Sequence, residues 1–143
     1  MEFTEFIGKI DTLTTTIQKK LNTVFANDDE PKISLPYIKV LSVISNSGAC
    51  TMSDIAGEMG VSLSAVTAFA DKLEEYGLIE RGRGPKDRRI VQVKISQTGM
   101  EVLKRKEAVL FKLLGKCFET ITPDEMDTCV RIMDKIAQSL NEE

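Results

Sequence analysis

The sequence predicts a mainly α-helical fold carrying one small β-hairpin, and three observations predict it. Two short apolar-periodic segments between Asp54 and Arg81 are hinged at Gly60. A glycine-rich basic stretch and an alternating strand follow between Gly82 and Gly99. On either side, the chain carries long amphipathic stripes. Helix, tight turn, helix and hairpin in that order make a winged helix-turn-helix, and the flanking helices suit a dimerisation frame. At 143 residues the chain fits one domain with a self-sufficient core. Residues 34–95 are the expected winged lobe; 1–26 and 97–143 are the expected dimerisation helices.

Phe3, Phe6, Ile7, Ile10, Leu13, Ile17, Leu21, Val24 and Phe25 recur at three- and four-residue steps. They predict one apolar helix face over most of Glu2 to Phe25. Thr14, Thr15 and Thr16 are poor helix formers, so packing is expected to hold this segment, either within the chain or against a second subunit. Asn27 to Pro31 form a polar, proline-stopped loop. A second helix begins near Ser34, with Leu35, Ile38, Leu41 and Ile44 as its stripe, and stops at Asn46, Ser47 and Gly48.

Thr51 is placed as an N-cap with Asp54 three residues on, and Cys50 and Ile55 stand where a hydrophobic staple closes. The short helix Met52 to Met59 ends at Gly60. Ser62 caps the next helix, again with a stapling pair, Val61 and Val66. Val66, Phe69, Ala70, Leu73 and Tyr76 are expected to face the core. Ser62, Ser64, Ala65, Thr67, Ala68 and Lys72 fall mostly on the other face, where small and hydrogen-bonding residues allow close approach to base edges. A solvated face rich in serine and alanine would look the same, and the basic hairpin downstream favours the DNA reading.

Gly77 is expected to end that helix in a left-handed conformation. Leu78 to Arg81 and Ile90 to Ile95 read as strands. Gly82, Gly84 and Pro85 predict a loop between them that carries Arg83, Lys86, Arg88 and Arg89 into solvent. Such a tip can straddle a phosphate backbone and place an arginine in the minor groove. Asp87, two residues before Arg89, is placed to hold that guanidinium by charge-assisted hydrogen bonds. Ser96 or Thr98 starts a long helix with Val102, Leu103, Val109, Leu110, Leu113, Leu114, Cys117 and Phe118 on its stripe. Thr122-Pro123-Asp124-Glu125 opens the last helix with a cap, proline at the first turn and glutamate three residues on. Its apolar side carries Met126, Cys129, Val130, Met133, Ile136, Ala137 and Leu140.

Net charge is −3, but six cations face one anion between Arg81 and Lys94, so a basic patch sits on an acidic remainder. Three widely spaced cysteines and no histidine exclude the familiar zinc spacings and any histidine-based triad. No metal, cofactor or catalytic residue is expected, and enzyme chemistry has no nucleophile, base and oxyanion donor to draw on. Cys50, Cys117 and Cys129 read as free thiols in small core positions. No apolar run approaches the ~18 residues of a membrane span, and the start, MEFTEFIGKI, lacks a signal peptide's basic region and cleavage site. The expected place is the cytoplasm.

Together, Leu73-Glu74, then Gly77-Leu78-Ile79-Glu80-Arg81, Asp87-Arg88-Arg89 and Ile95-Ser96-Gln97-Thr98-Gly99 resemble the MarR family of transcriptional regulators. The last piece is similar to the family's Leu-Thr-x-x-Gly ending of the wing, and the spacing between the pieces matches across nearly the whole chain. The resemblance implies a homodimer built from the terminal helices, a recognition helix at Ser62 to Tyr76 and a wing from Leu78 to Ile95. It implies that Asp87 and Arg89 match the wing aspartate and the minor-groove arginine. It also implies a repressor on a two-fold symmetric operator, released by a small aromatic or anionic effector. Ala65 and Ala68 depart from the family, since many members carry arginine or lysine there, and Lys72 is the helix's only cation. Two rival readings are a winged-helix protein-interaction module without specific DNA binding and a regulator that senses oxidants through a cysteine.

Overall fold

The computed structural model describes residues 1–142. The chain runs α1 (Phe3–Ala26), α2 (Leu35–Ser47), α3 (Met52–Met59), α4 (Leu63–Glu75), β1 (Ile79–Arg83), β2 (Val91–Ile95), α5 (Gln97–Phe118) and α6 (Pro123–Asn141). It divides into two compact units, Met1–Glu107 and the residues from Ala108 onward.

In the first unit, local signals set the helix ends. Thr51 Oγ1 accepts the Asp54 N–H at 3.1 Å while Asp54 Oδ2 accepts the Thr51 N–H at 2.9 Å, closing the expected capping box. Gly60, at φ +65°, turns the chain out of α3, and Ser62 Oγ then accepts the Ala65 N–H to start α4. Each such cap contributes about 1 kcal/mol. Gly77, at φ +73°, ends α4 as expected: its N–H reaches the Glu74 carbonyl at 2.9 Å, and the Leu78 N–H reaches that of Leu73 at 2.9 Å. These paired bonds satisfy the helix's last carbonyls and aim the chain into β1.

The core gathers Ile38, Val40, Leu41 and Ile44 of α2, Ile55 of α3, and Val66, Ala70 and Leu73 of α4. Leu78, Ile79, Val93, Val102 and Leu103 are buried with them. Each such aliphatic side chain contributes about 1.5–3 kcal/mol when taken from water. The two strands pair antiparallel from Ile79↔Ile95 to Arg83↔Val91. Cys50 extends this sheet by one bridge, exchanging backbone hydrogen bonds of 3.0 and 2.8 Å with Val93.

α5 begins by gripping the turn beyond α4. Ser96 Oγ donates to the Gly77 carbonyl at 2.6 Å and accepts the Gly99 N–H at 2.9 Å, while the Ser96 N–H donates to the Leu78 carbonyl at 3.0 Å. Gly99 lies so close to Leu78 that a Cβ would stand 1.9 Å from its carbonyl oxygen.

Several expectations are corrected. Tyr76, expected in the core, is exposed because it is the C-cap residue of α4, beyond the last turn that faces inward. β1 runs two residues further than expected, so Arg83 is a strand residue paired with Val91 rather than part of the loop. In α1, Phe25 is buried while Phe3, Phe6, Ile7, Ile10, Leu13 and Ile17 are exposed, so of the two packings expected for this stripe the one within the chain covers only the helix end. Thr12, Thr14, Thr16 and Thr23 of this helix donate their hydroxyls to the carbonyls four residues back, bonds that satisfy the hydroxyls without strengthening the helix.

The acidic loop after α1 has a structural role. Lys106 of α5 is fully buried, with Nζ 2.8 Å from Asp28 Oδ2 and 2.6 Å from the Asp29 carbonyl. Arg105 Nη2 donates to the Glu30 carbonyl at 2.8 Å. The Lys106 hydrogen bond holds the Asp28 carboxyl below the usual aspartate range. An ammonium taken wholly from water needs such partners, and here the loop supplies them.

In the second unit, α6 opens with a capping box. Thr122 Oγ1 accepts the Glu125 N–H at 3.3 Å, and Glu125 Oε2 accepts the Thr122 N–H at 2.8 Å. None of its residues is buried, and Met126, Val130, Met133, Ile136 and Leu140 form an exposed apolar stripe. Cys117 and Cys129, expected in the core, are exposed; only Cys50 is buried.

Candidate nucleic-acid interface

The outer face of α4 carries the expected residues. Ser62, Ser64, Thr67, Ala68 and Lys72 are exposed, and Ala65 is half-buried. Hydrogen bonds within the helix limit what they can offer a base. Thr67 Oγ1 donates to the Leu63 carbonyl at 2.9 Å, which leaves the hydroxyl as an acceptor. Ser62 Oγ, already bonded to the Ala65 N–H, lies 3.2 Å from Ser64 Oγ. The Lys72 ammonium sits 5.7 Å from the centre of the Tyr76 ring. On the opposite face, Phe69 meets Tyr37 of α2 edge to face, with centroids 5.0 Å apart.

The hairpin tip is a closed loop, not a loose one. The Gly84 N–H donates to the Ile90 carbonyl at 2.8 Å, and the Ile90 N–H to that of Asp87 at 3.2 Å. A Cβ on Gly84 would lie 2.8 Å from the Asp87 carbonyl oxygen, so a side chain there would push the tip apart. Arg83, Lys86, Arg88 and Arg89 are all exposed.

Asp87 and Arg89 meet as expected. Arg89 donates from Nε to Oδ1 at 3.1 Å, from Nη2 to Oδ2 at 3.0 Å and from its backbone N–H to Oδ1 at 3.0 Å. These bonds hold the Asp87 carboxyl below its usual range and raise the Arg89 guanidinium further above neutrality. The Arg89 side chain is nevertheless 91% exposed, so it is oriented and still open to a ligand.

Two cations of the basic stretch are committed elsewhere, which sequence reasoning missed. Arg81 spans two carboxylates of α4, with Nε 2.8 Å from Glu74 Oε2 and Nη2 on Asp71 Oδ1. Lys94 stands 3.9 Å from Glu80 across the strand pair. The i, i+3 spacing of Asp71 and Glu74 was the available signal, but only the strand's placement shows what they face. Burial, with Asp54 adding to it, pushes the Cys50 thiol up, away from the reactive thiolate. Among the described residues, no group of acidic or cysteine side chains is arranged to hold a metal ion. Among the described residues, no helix is long and apolar enough to cross a membrane.

Capped α3, a glycine turn, α4 with an open small-residue face, and a basic hairpin define a winged helix-turn-helix protein. The model of the MarR family matches residues 33–91. The uncharacterized HTH-type transcriptional regulator YwhA of Bacillus subtilis (strain 168) is 35% identical over 99 residues, covering 69% of this chain and 71% of that protein. The HTH-type transcriptional repressor MdtR of the same organism is 35% identical over 104 residues, covering 70% of this chain and 64% of that protein. The crystal structure of Streptococcus pneumoniae FabT in complex with DNA has the same fold, with a TM-score of 0.83 at 19% identity over 99% of both chains. The chain belongs to the MarR family, and it is a transcriptional regulator rather than an enzyme.

Proposed function

We propose that this regulator binds double-stranded DNA in a sequence-specific way, as a cytoplasmic homodimer on a two-fold symmetric operator. The observation that carries the reading is the exposed Arg89, held by Asp87 at the tip of a closed basic loop and following a doubly capped helix-turn-helix. In this reading α4 enters the major groove through Ser62, Ser64, Ala65, Thr67, Ala68 and Lys72. The wing brings Arg83, Lys86 and Arg88 to the phosphates and Arg89 to the minor groove, where the potential is most negative. The similar FabT was solved with DNA, which supports this.

The exposed apolar stripes of α1 and of α6 support the dimer, because contiguous apolar surface of this kind marks an interaction face. A repressor released by a small aromatic or anionic effector is the regulatory form proposed, and the similar MdtR is named a repressor.

Selection from random duplex DNA, then titration of wild type and Arg89→Ala across salt, tests the reading. Wild type should recover a two-fold symmetric site with a steep salt slope. Arg89→Ala should bind it more weakly, with the slope of log affinity reduced by about one per protomer. If neither protein enriches any sequence and salt hardly matters, the hairpin serves another partner and the DNA reading fails.

A further inference from the structure

We propose that Arg81 is a positioning residue for DNA binding: it fixes the wing against α4 and does not itself contact phosphate. This rests on the DNA-binding reading above. Arg81 lies in the middle of β1, opposite the buried Val93. Side chains alternate along a strand, so Ile79, Arg81 and Arg83 share one side of the hairpin. Ile79 is buried in the core. Arg83 makes no ion pair among the described residues. Arg81, between them, ends on Asp71 and Glu74, three residues apart near the end of α4. Its side chain is 32% exposed against 91% for Arg89.

Two consequences follow. A two-stranded ribbon twists more freely than a wider sheet. The backbone bonds at Gly77 and Leu78 fix its base and the Cys50 bridge holds β2 at Val93, but neither ties the β1 side chains beyond Ile79 to α4. Arg81 is the first side chain past the core that ties the ribbon to α4, so it sets the direction in which Arg83 and the tip project. The second consequence is electrostatic. Without Arg81, the end of α4 would present Asp71, Glu74 and Glu75 against Lys72 alone, next to the surface meant to meet a polyanion. One planar guanidinium can bond two carboxylates at once, whereas a lysine ammonium is a point charge with no such fork.

Three variants on a selected duplex separate positioning from phosphate contact and from simple charge. Wild type is titrated first, and an absence of salt-dependent binding there overturns the DNA reading and this proposal with it. Given binding, Arg81→Gln should lose about tenfold or more in affinity with the salt slope unchanged, since no phosphate contact is removed. The double variant Asp71→Asn/Glu74→Gln keeps the arginine and adds two units of positive charge, and should still bind more weakly than wild type. Its far-ultraviolet circular dichroism should match wild type, because exposed ion pairs contribute little to stability. Arg81→Lys should recover only part of the loss. A slope reduced by about one per protomer in Arg81→Gln would make Arg81 a phosphate contact and overturn the proposal. So would a double variant that binds as tightly as wild type or tighter, while the DNA-binding reading itself would stand.

Discussion

Replacing Gly99 by alanine tests the junction from which α5 leaves the wing. The new Cβ would meet the Leu78 carbonyl oxygen at 1.9 Å, Ile95 Cγ1 at 2.8 Å and the Leu78 carbonyl carbon at 2.9 Å. Ordinary contact needs more than an ångström of retreat from the oxygen, and the obstacle is backbone rather than a flexible side chain. That oxygen accepts the Ser96 N–H at 3.0 Å, and Ser96 Oγ ties Gly77 to Gly99 on the same few atoms. Overpacking costs about 1–3 kcal/mol, and loosening two or three hydrogen bonds costs about 1 kcal/mol each. Gly99→Ala should therefore lose about 3–6 kcal/mol, a large part of the ~5–15 kcal/mol of a typical domain. Urea unfolding at one fixed protein concentration measures it, the concentration being held because a dimer's stability depends on it. Gly57 in α3 is the control: nothing lies within 4 Å of its added Cβ. Gly57→Ala should gain about 0.5–1 kcal/mol from the lower chain entropy of alanine. A Gly99→Ala protein within about 1 kcal/mol of wild type would refute the claim that this contact is rigid.

Two other perturbations address the remaining structure. Lys106→Met keeps the buried stem but removes the ammonium from Asp28 and the Asp29 carbonyl, and should lose about 2–4 kcal/mol at neutral pH in denaturant unfolding. Because Asp28 has its folded pKa depressed, the stability it contributes is present above its unfolded value and disappears as pH falls through the folded one. The gap between wild type and Lys106→Met should therefore narrow in acid, and a gap constant down to pH ~3 would contradict this assignment. Thr122→Ala removes the acceptor for the Glu125 N–H, and should lose about 1 kcal/mol and reduce the protection of the first-turn amides of α6 in hydrogen exchange.

What could be read from the sequence was largely what is local. The boxes at Thr51–Asp54 and Thr122–Glu125, the cap at Ser62 and the left-handed glycines at 60 and 77 depend on residues within three or four positions. The pair Asp87–Arg89 belongs to the same class, being two residues apart on one tight loop. Lys106 and Asp28 are 78 positions apart, and nothing in either stretch marks a buried ion pair. The loop reads only as polar, and Lys106 stands outside the apolar stripe expected for α5. Tyr76 fitted the apolar stripe of α4 because helical periodicity does not say where the helix stops. Gly99 stood out as part of a motif, but the reason for it, the approach of the Leu78 carbonyl, required the fold.

The basic stretch shows how a charge count and a charge arrangement differ. Six cations between Arg81 and Lys94 suggest a diffuse patch along the whole hairpin. In the fold, Arg81 lies against Asp71 and Glu74, and Lys94 leans toward Glu80. Both lie in the inner part of the hairpin, short of the tip, where neighbouring carboxylates offset them. Arg83, Lys86 and Arg88 make no ion pair among the described residues, and Arg89 is oriented by its own loop rather than by the body. The uncompensated charge is therefore concentrated at the outer end. A field of that shape favours a narrow, strongly negative target at the tip over general adhesion along the strands. It also reconciles a net charge of −3 with the polyanion site proposed above. In the DNA-binding reading proposed above, the acidic remainder, including the end of α4, would limit nonspecific attraction, and Arg81 would keep that acidity from the face formed by α4 and the wing.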